Sequence, residues 1–177
     1  MAGKGLKNIY YAVIQSDTAT ATVYGDMVKL GHAVSVDVNP DVSTATLYGD
    51  DRVIETEYQL KQVNVTIETT DIPLSDLAVL LGHTYGEGGL TWNSADRAPY
   101  VGLAYEKDLN GGKTRYVKLY KGKFEPTQET INTRKENLEY QTPKLTGAFI
   151  ARESDGDIRY SEEHPTGTNM ADWYTSF

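Results

Sequence analysis

Histidine, serine and acidic side chains could act in catalysis or metal binding, but their spacing in this sequence matches no such site. The three histidines, His32, His83 and His164, stand apart, and none forms an H-x-H or H-x-x-x-H pair that could hold a metal ion. Ser154 lacks the flanking glycine pattern of a nucleophile elbow. We therefore predict no catalytic residue, no metal ligand and no cofactor.

Two acidic pairs, Asp50-Asp51 and Asp155-Gly156-Asp157, could in principle hold a cation. A calcium-binding EF-hand loop needs acids at alternating positions and a closing glutamate at a fixed interval, which neither stretch supplies. Both pairs are predicted to be turns. Carboxylate pairs of the glycosidase kind remain open at this level, because their partners lie far apart in a chain.

Composition and charge exclude several classes of protein. The chain has 177 residues, no cysteine and a net charge of −8, which suits one domain without disulfides or thiolate metal ligands. Residues 1–88 contain 5 basic and 12 acidic side chains, so the negative charge is concentrated there. Such a chain is expected to bind nucleic acid poorly, since contacts with phosphate need lysine and arginine. No apolar run is long enough for a membrane helix, and the first residues lack the apolar core of a signal peptide.

Alternating apolar residues predict that most of the chain is β-strand. In "HAVSVDV" the side chains of Val34, Val36 and Val38 fall on one face. In "ETEYQLKQVNVTIETT" the alternation slips near Lys61 and Gln62, which predicts a bulge or bend there. Further strands are predicted on both sides of a turn at Asn110-Gly111-Gly112 and over "KLTGAFIARE", whereas the polar residues 127–143 are predicted to form a loop.

One helix is predicted, at about residues 72–81. Pro73 fits a first helical position and Gly82 fits a C-terminal cap. The helix has an apolar stripe of Leu74, Leu77, Leu80 and Leu81, which we expect to cover the sheet.

The stretch "TATVYGD" at Thr20–Asp26 is repeated as "TATLYGD" at Thr44–Asp50. Two copies are too few for a repeat architecture, and the simplest interpretation is two strand ends followed by similar turns.

Several segments, taken in order, resemble the tail tube proteins, or major tail proteins, of long-tailed phages with non-contractile tails. They are "TATLYGDD", "GGLTWNSADRAPYVGLAYE" and "TRYVKLYKGKFEPTQETINTRKENLEYQTPKLTGAFI", followed by a short "DG" turn. The resemblance spans roughly residues 8–160. No single motif is decisive, and the order and spacing carry the likeness.

The resemblance implies a mainly β fold, sandwich-like or barrel-like, with one packed helix and long projecting loops. It implies a single domain over residues 1–177, with an extended N-terminal arm at about 1–8 and a C-terminal tail at about 164–177. Together with the lack of a catalytic motif, the resemblance implies a structural protein and not an enzyme. Proteins of this family form stacked hexameric rings around the tape measure protein, conduct DNA, and meet tail terminator and tail tip proteins. The expected locations are the virion tail and, during assembly, the host cytoplasm, without a membrane.

Two sets of residues follow as candidates for assembly. Asn39-Pro40 and Gly49-Asp50-Asp51 bound a segment at 39–55 that we predict to be a loop projecting to a neighbouring subunit; the alternative is that it folds back on its own domain. Its candidate contact residues are Val42, Thr44, Leu47, Tyr48, Asp50, Asp51 and Arg52. The resemblance also implies that strands around residues 56–69 and 144–152 line the tube, with Glu57, Gln62, Asn64, Thr66 and Glu68 facing the lumen.

A competing class is a carbohydrate-binding β-sandwich, because two tryptophans and thirteen tyrosines could supply stacking surfaces for sugars. An acid-lined aromatic cluster cannot be located in the sequence, and the order of segments favours the tail tube class.

Overall fold

Eleven strands and one α-helix make up the described part of the protein, which in this computed structural model comprises residues 3–126 and 142–177. The strands are β1 Gly3–Asp17, β2 Thr22–Tyr24, β3 Val28–Lys29, β4 Ala33–Gly49, β5 Arg52–Thr69, β6 Thr84–Gly86, β7 Gly89–Thr91, β8 Val101–Leu109, β9 Lys113–Glu125, β10 Lys144–Ile150 and β11 Arg159–Pro165. The helix α1 is Leu74–Leu81, and a short 3₁₀ turn follows at Ala171–Tyr174. The mainly β prediction is therefore confirmed, while the predicted loop at 127–143 lies almost wholly outside the described residues.

Nine of the strands form one antiparallel sheet in the order β2-β1-β8-β9-β10-β5-β4, with β3 beside β1 and β11 beside β9. Strand β9 pairs along one side with β8 and along the other with β11 and then β10. Strands β6 and β7 form a separate small hairpin. The sheet is bent around its own core in a sandwich-like manner, and β4 is left as an edge strand.

The inner face of the sheet carries the core because apolar residues alternate along its strands. Fully buried members include Val65, Ile67, Leu103, Val117, Leu119, Leu145 and Phe149. Phe149 lies opposite Gly122, and Phe124 lies opposite Gly147, so each ring covers the glycine of the neighbouring strand. The two rings meet edge to face with centroids 5.9 Å apart.

Helix α1 packs on this core as predicted, although it starts two residues later than expected and Pro73 is its N-cap rather than its first residue. Gly82 ends the helix in the left-handed conformation, at φ 73°, where a Cβ atom would collide with the Arg97 carbonyl oxygen. Leu80 and Leu81 are buried, whereas Leu74 is 47% exposed. The apolar stripe is thus confirmed for its inner half.

The aromatic end of the chain covers the opposite face of the sheet. Trp173 is buried against Tyr116 and Tyr160, and Phe177 stacks on Tyr24 and lies over Gly102 of β8. At the other end of the chain, residues 3–7 pair with β8 as part of β1. The tail is therefore packed against the sheet that it follows.

The predicted hairpin at Asn110-Gly111-Gly112 joins β8 and β9, and both glycines adopt positive φ there. The first copy of the repeated stretch contains β2, and the second copy forms the end of β4 and its turn. Both copies therefore end a strand, in agreement with the simplest interpretation of the repeat.

Candidate self-assembly surface

Strands β4 and β5 form a hairpin that is much longer than the core requires. They pair from Ala33 opposite Thr69 to Gly49 opposite Arg52. Asp50 and Asp51, both at positive φ (52° and 59°), make the two-residue turn, which is the geometry of a type I′ hairpin. At about 3.3 Å per residue, the stretch from Val42 to the turn extends roughly 25 Å beyond the core.

The prediction of a loop at residues 39–55 was wrong, because both strands run through that segment. Pro40, predicted to mark the start of this segment, lies within β4 opposite Val63. Proline is tolerated there since β4 is an edge strand, and its missing N–H can face away from β5. The segment does extend into solvent, and it does not fold back on its own domain.

A bulge at Lys61 decides which way the outer half of the hairpin faces. Asp41 lies opposite Gln62, but the next pair is Val42 with Leu60, so Lys61 is an extra residue on β5. The predicted bulge is confirmed at this position. The extra residue changes the parity of β5 and brings Leu60 onto the same face as the buried Val63.

One face of the outer hairpin is consequently a continuation of the core face, and none of the described residues packs on it. Its cross-strand pairs are Val42–Leu60, Thr44–Tyr58, Thr46–Thr56 and Tyr48–Val53. We call these eight residues the apolar hairpin face. All eight are exposed, with Tyr58 at 74% and Tyr48 at 70%, and no described residue covers them. At about 25 cal/mol per Å² of apolar surface, this face would gain several kcal/mol on meeting a partner.

The structure places the predicted contact residues on the two faces of the hairpin and at its turn. Val42, Thr44 and Tyr48 lie on the apolar hairpin face, and Leu47 lies on the opposite face beside Glu55. Asp50 and Asp51 form the turn, with Arg52 next to it. A second shift in register after Leu47 leaves Ile54 without a partner on β4.

Sequence reasoning did not assign Tyr58 and Leu60 to the contact surface, although both belong to it. The one indication in the sequence was the break near Lys61 in the alternation of apolar and polar residues. The sequence shows that the slip exists, but only the pairing with β4 shows that it turns these two side chains toward the core side.

The five predicted lumen residues share the other face of β5, which we call the polar sheet face. Asn64, Thr66 and Glu68 lie opposite Ala148, Thr146 and Lys144 of β10, and Gln62 and Glu57 continue the row along β5. Gln62 donates a hydrogen bond to Asn64 over 3.0 Å, and the Thr66 and Thr146 hydroxyls lie 3.4 Å apart. The structure thus brings all five together on one surface.

Glu68 anchors this surface where β4, β5 and β10 meet. The Thr142 hydroxyl donates to it, the Ser35 hydroxyl donates over 3.2 Å, and the Lys144 ammonium lies 3.7 Å away. The hydrogen bond from Thr142 is the main cause that holds the pKa of Glu68 below its usual value, with Ser35 and Lys144 adding to it against some desolvation. The polar sheet face therefore keeps this negative charge at neutral pH.

His83 and Asp96 form the closer of two histidine–carboxylate pairs in the described residues, the other being His164 with Glu162 at 3.4 Å. His83 Nδ1 lies 2.7 Å from Asp96 Oδ2, and the imidazole stacks on Trp92 with centroids 4.6 Å apart. The hydrogen bond with His83, followed by that from the Asn93 N–H, lowers the pKa of Asp96. His83 Nε2 is buried, and no described hydroxyl or thiol is bonded to it. The arrangement thus ties the segment after α1 together and presents no nucleophile.

The acidic turn at Asp155 is stabilised by hydrogen bonds that nearby residues donate to its carboxylate. Arg152 makes two contacts with the Asp155 carboxylate, at 2.9 and 2.5 Å, and the Asp157 N–H donates to it over 3.0 Å. The hydrogen bond from Arg152 is the main reason that the pKa of Asp155 is lowered. Across residues 3–126 and 142–177, no three acidic or histidine side chains are grouped in a way that could hold a metal ion.

The two tryptophans do not form a sugar-stacking surface. Trp173 is buried beneath Tyr116, Tyr160 and the Lys118 ammonium. Trp92 is 59% exposed, but it stacks on His83 and makes no ring contact with that cluster. The carbohydrate-binding alternative therefore loses one of its two expected aromatic platforms.

Comparison with known proteins adds one match. The family model described as "Phage tail tube protein" matches residues 39–164, which is more than two thirds of the chain. The match begins within β4 and ends within β11, so it contains the whole outer hairpin. No curated protein matches the chain significantly. In addition, none of the helices within the described residues has the length and apolar character needed to cross a membrane.

Proposed function

The chain belongs to the phage tail tube protein family, and from this premise we propose that it assembles into stacked hexameric rings that form the tube of a phage tail. The tube encloses the tape measure protein during assembly and later conducts DNA. The protein acts as a structural subunit and not as an enzyme.

The observation that carries this proposal is the apolar hairpin face. An isolated hairpin of this length, with exposed tyrosine, leucine and valine side chains along one side, is an aggregation hazard unless a partner covers it. A protein that stacks on copies of itself supplies such a partner at every level of the tube. The hairpin then reaches the neighbouring subunit in the adjacent ring, with Asp50, Asp51 and Arg52 at its leading end.

The polar sheet face supports a second part of the proposal, namely that β5 and β10 line the lumen. The face carries Glu57 and Glu68 together with uncharged Gln62, Asn64 and Thr66, and Asp37 and Asp41 of β4 lie beside them, so these four acids outweigh the one cation that β10 adds, Lys144. A wall with this charge repels phosphates instead of binding them, which suits passage of DNA without sequence-specific contact. In a ring, the edge strand β4 would meet the next subunit, so that the lumen has no free sheet edge.

The remaining parts of the proposal follow from the same assignment. The chain works as one domain whose N-terminal arm and C-terminal tail belong to the same unit. Its partners, besides itself, are the tape measure protein, passing DNA, and the terminator and tip proteins at the ends of the tube. It acts in the virion tail and is assembled in the host cytoplasm.

Removal of the outer hairpin tests the proposal. Asp41 and Gln62 lie directly opposite each other, so residues 42–61 can be replaced by an Asn-Gly turn without a change in register below it. We expect wild-type protein at high concentration to form tubes visible by negative-stain microscopy. We expect the shortened chain to keep its cooperative thermal transition but to form no tubes.

A matched control is available in the small hairpin β6–β7, whose turn Glu87-Gly88 also has positive φ at both residues. Replacing that turn by Asn-Gly alters a hairpin outside the apolar hairpin face and should leave the tubes intact. Normal tubes from the shortened chain would contradict the proposed role of the hairpin.

A further inference from the structure

An open cleft of about 530 Å³ lies where β1 and β4 approach each other at the two sides of the bent sheet without a described backbone pairing between them. Leu6 from β1 and Val36 and Val38 from β4 supply its apolar surface, and each is only partly buried. Tyr105 of β8 forms part of the wall. The cleft is thus an opening into the edge of the core.

Three cationic side chains surround this opening. Lys107 of β8 lies directly opposite Arg115 of β9, and Arg159 of β11 lines the same cleft. Like charges that face each other across two strands are unfavourable unless an anion lies between or beside them. Arg115 has one, since its guanidinium contacts Glu163 at 2.5 Å.

The other two cations lack such a partner. Within the described residues, Lys107 and Arg159 have no ion pair or hydrogen bond, and the Tyr105 hydroxyl, at the wall of the open cleft, has no hydrogen-bond partner. In a chain with a net charge of −8, this is a local surplus of positive charge beside unoccupied donors. The cleft is therefore suited to an acidic group that brings apolar side chains with it.

The tip of the β4–β5 hairpin has that composition. Residues 41–61 contain five acidic and two basic side chains. Asp50 and Asp51 stand at the turn, exposed and without a described ion pair, and Tyr48 and Val53 lie beside them at 70% and 54% exposure. The tip thus offers carboxylates for the cations and apolar side chains for the floor of the cleft.

The tip cannot reach the cleft of its own chain. Val38 lies at the cleft, and the extended strand from Val38 to Asp50 is roughly 40 Å long. As long as β4 and β5 stay paired, the two features remain at opposite ends of the hairpin. Only another copy of the chain can bring them together.

We propose that the Asp50-Asp51 turn of one copy docks into the cleft formed by Lys107, Arg159 and Tyr105 of a neighbouring copy, and that this contact joins successive rings. The inference rests on the proposed function, because it names the surface that receives the hairpin. DNA is a poorer occupant, since its phosphate backbone has no apolar group to cover Leu6, Val36 and Val38.

Charge reversal on each side tests the contact. The first variant carries Lys107→Glu and Arg159→Glu, the second carries Asp50→Lys and Asp51→Lys, and the third combines all four substitutions. We expect each of the first two to lower the yield of sedimentable tubes by at least about tenfold, and the third to recover most of it, because opposite charges again face each other.

A matched control carries Lys29→Glu and Lys123→Glu, which produces the same change in net charge away from the cleft. It should form tubes. A thermal melt of every variant separates loss of assembly from loss of folding. If the reversed cleft does not fold, Lys107→Met with Arg159→Met replaces it, and tube yield should then fall and depend less on salt concentration.

The outcomes separate this inference from the proposed function. Tubes from wild type, none from the chain without its hairpin, and normal tubes from the variant with the reversed cleft would overturn the inference alone. If the single-sided variants lose their tubes and the combined variant does not restore them, the inference would also be overturned. The cleft would then bind another anion, such as DNA. Wild-type protein without tubes would overturn both.

Discussion

Among single residues, one buried ion pair between two strands is expected to contribute strongly to the stability of this fold. Asp17 of β1 and Lys121 of β9 lie 2.5 Å apart, and each side chain is only 8% exposed. Burial works against the charge on Asp17, but hydrogen bonds from Lys121, the Thr22 hydroxyl and the Glu153 N–H outweigh it, so the pKa of Asp17 is lowered. The pKa of Lys121 is raised, mainly by its hydrogen bond to Asp17.

Lys121→Met should therefore leave a buried carboxylate without its cation. We expect it to lower the free energy of unfolding by about 3 kcal/mol at pH 7, measured by urea denaturation. Lys113→Met is the control, because Lys113 is exposed and lies 4.0 Å from Glu163, and its loss should cost less than about 1 kcal/mol. Equal effects of the two substitutions would contradict this assignment.

The pH dependence of this pair has a definite sign. Since the folded-state pKa of Asp17 is below its unfolded value of about 3.9, the stabilisation is fully present above that pH and is lost as the pH falls through the folded-state pKa. The difference in stability between wild type and Lys121→Met should therefore shrink between pH 5 and pH 2. A difference that grows with acidification would show that Asp17 is not the group involved.

At the scale of single elements, α1 illustrates how a short helix is stabilised by only part of its apolar stripe. Leu80 is fully buried in the core, whereas Leu74 at the start of the helix is 47% exposed. Leu80→Ala should lower the free energy of unfolding by about 2–5 kcal/mol because it leaves a cavity. Leu74→Ala keeps the helix propensity high and should change the free energy of unfolding by less than about 0.5 kcal/mol. Thermal or urea denaturation of both variants measures the contrast, and similar losses would contradict the packing described for α1.

The bulge in β5 is the element that separates core from assembly surface. Below Lys61 the residues Val63, Val65 and Ile67 point into the core, and beyond it Leu60 and Tyr58 continue on the same side without a core beneath them. One extra residue thus allows a single strand to stabilise its own domain with one half and to present an apolar surface with the other.

For the assembly of whole molecules, the role of the apolar hairpin face can be tested by substituting two neighbouring residues. Tyr58 lies on the apolar hairpin face and Gln59 points to the opposite side, and both are exposed. Tyr58→Arg should abolish tubes while leaving the melting temperature within a few degrees of wild type, since neither side chain contributes to the core. Gln59→Arg introduces the same charge and should leave tubes intact in negative-stain images. The reverse pattern would assign the contact to the polar side of the hairpin.

Much of this protein was determined by local patterns that the sequence displays. Most of the core strands, the turn at Asn110-Gly111-Gly112, the helix with its Gly82 cap and the bulge near Lys61 were predicted, because alternation, capping and turn chemistry act within a few residues, whereas the strand halves at residues 39–55 were not. The spacing of polar residues along β5 also placed Gln62, Asn64, Thr66 and Glu68 on one face. The family likeness rested on the order of such segments.

The tertiary structure decided what depends on partners far away in the chain. Pro40 reads as a breaker, but pairing with β5 at the edge of the sheet makes it part of a strand. Tyr58 joins Val42 on one surface only through the register of that pairing, and Lys107 meets Arg159 only because β8, β9 and β11 are neighbours. Local composition sets which elements form, whereas register and strand order set which side chains share a surface, and these are fixed by contacts between residues that are distant in sequence.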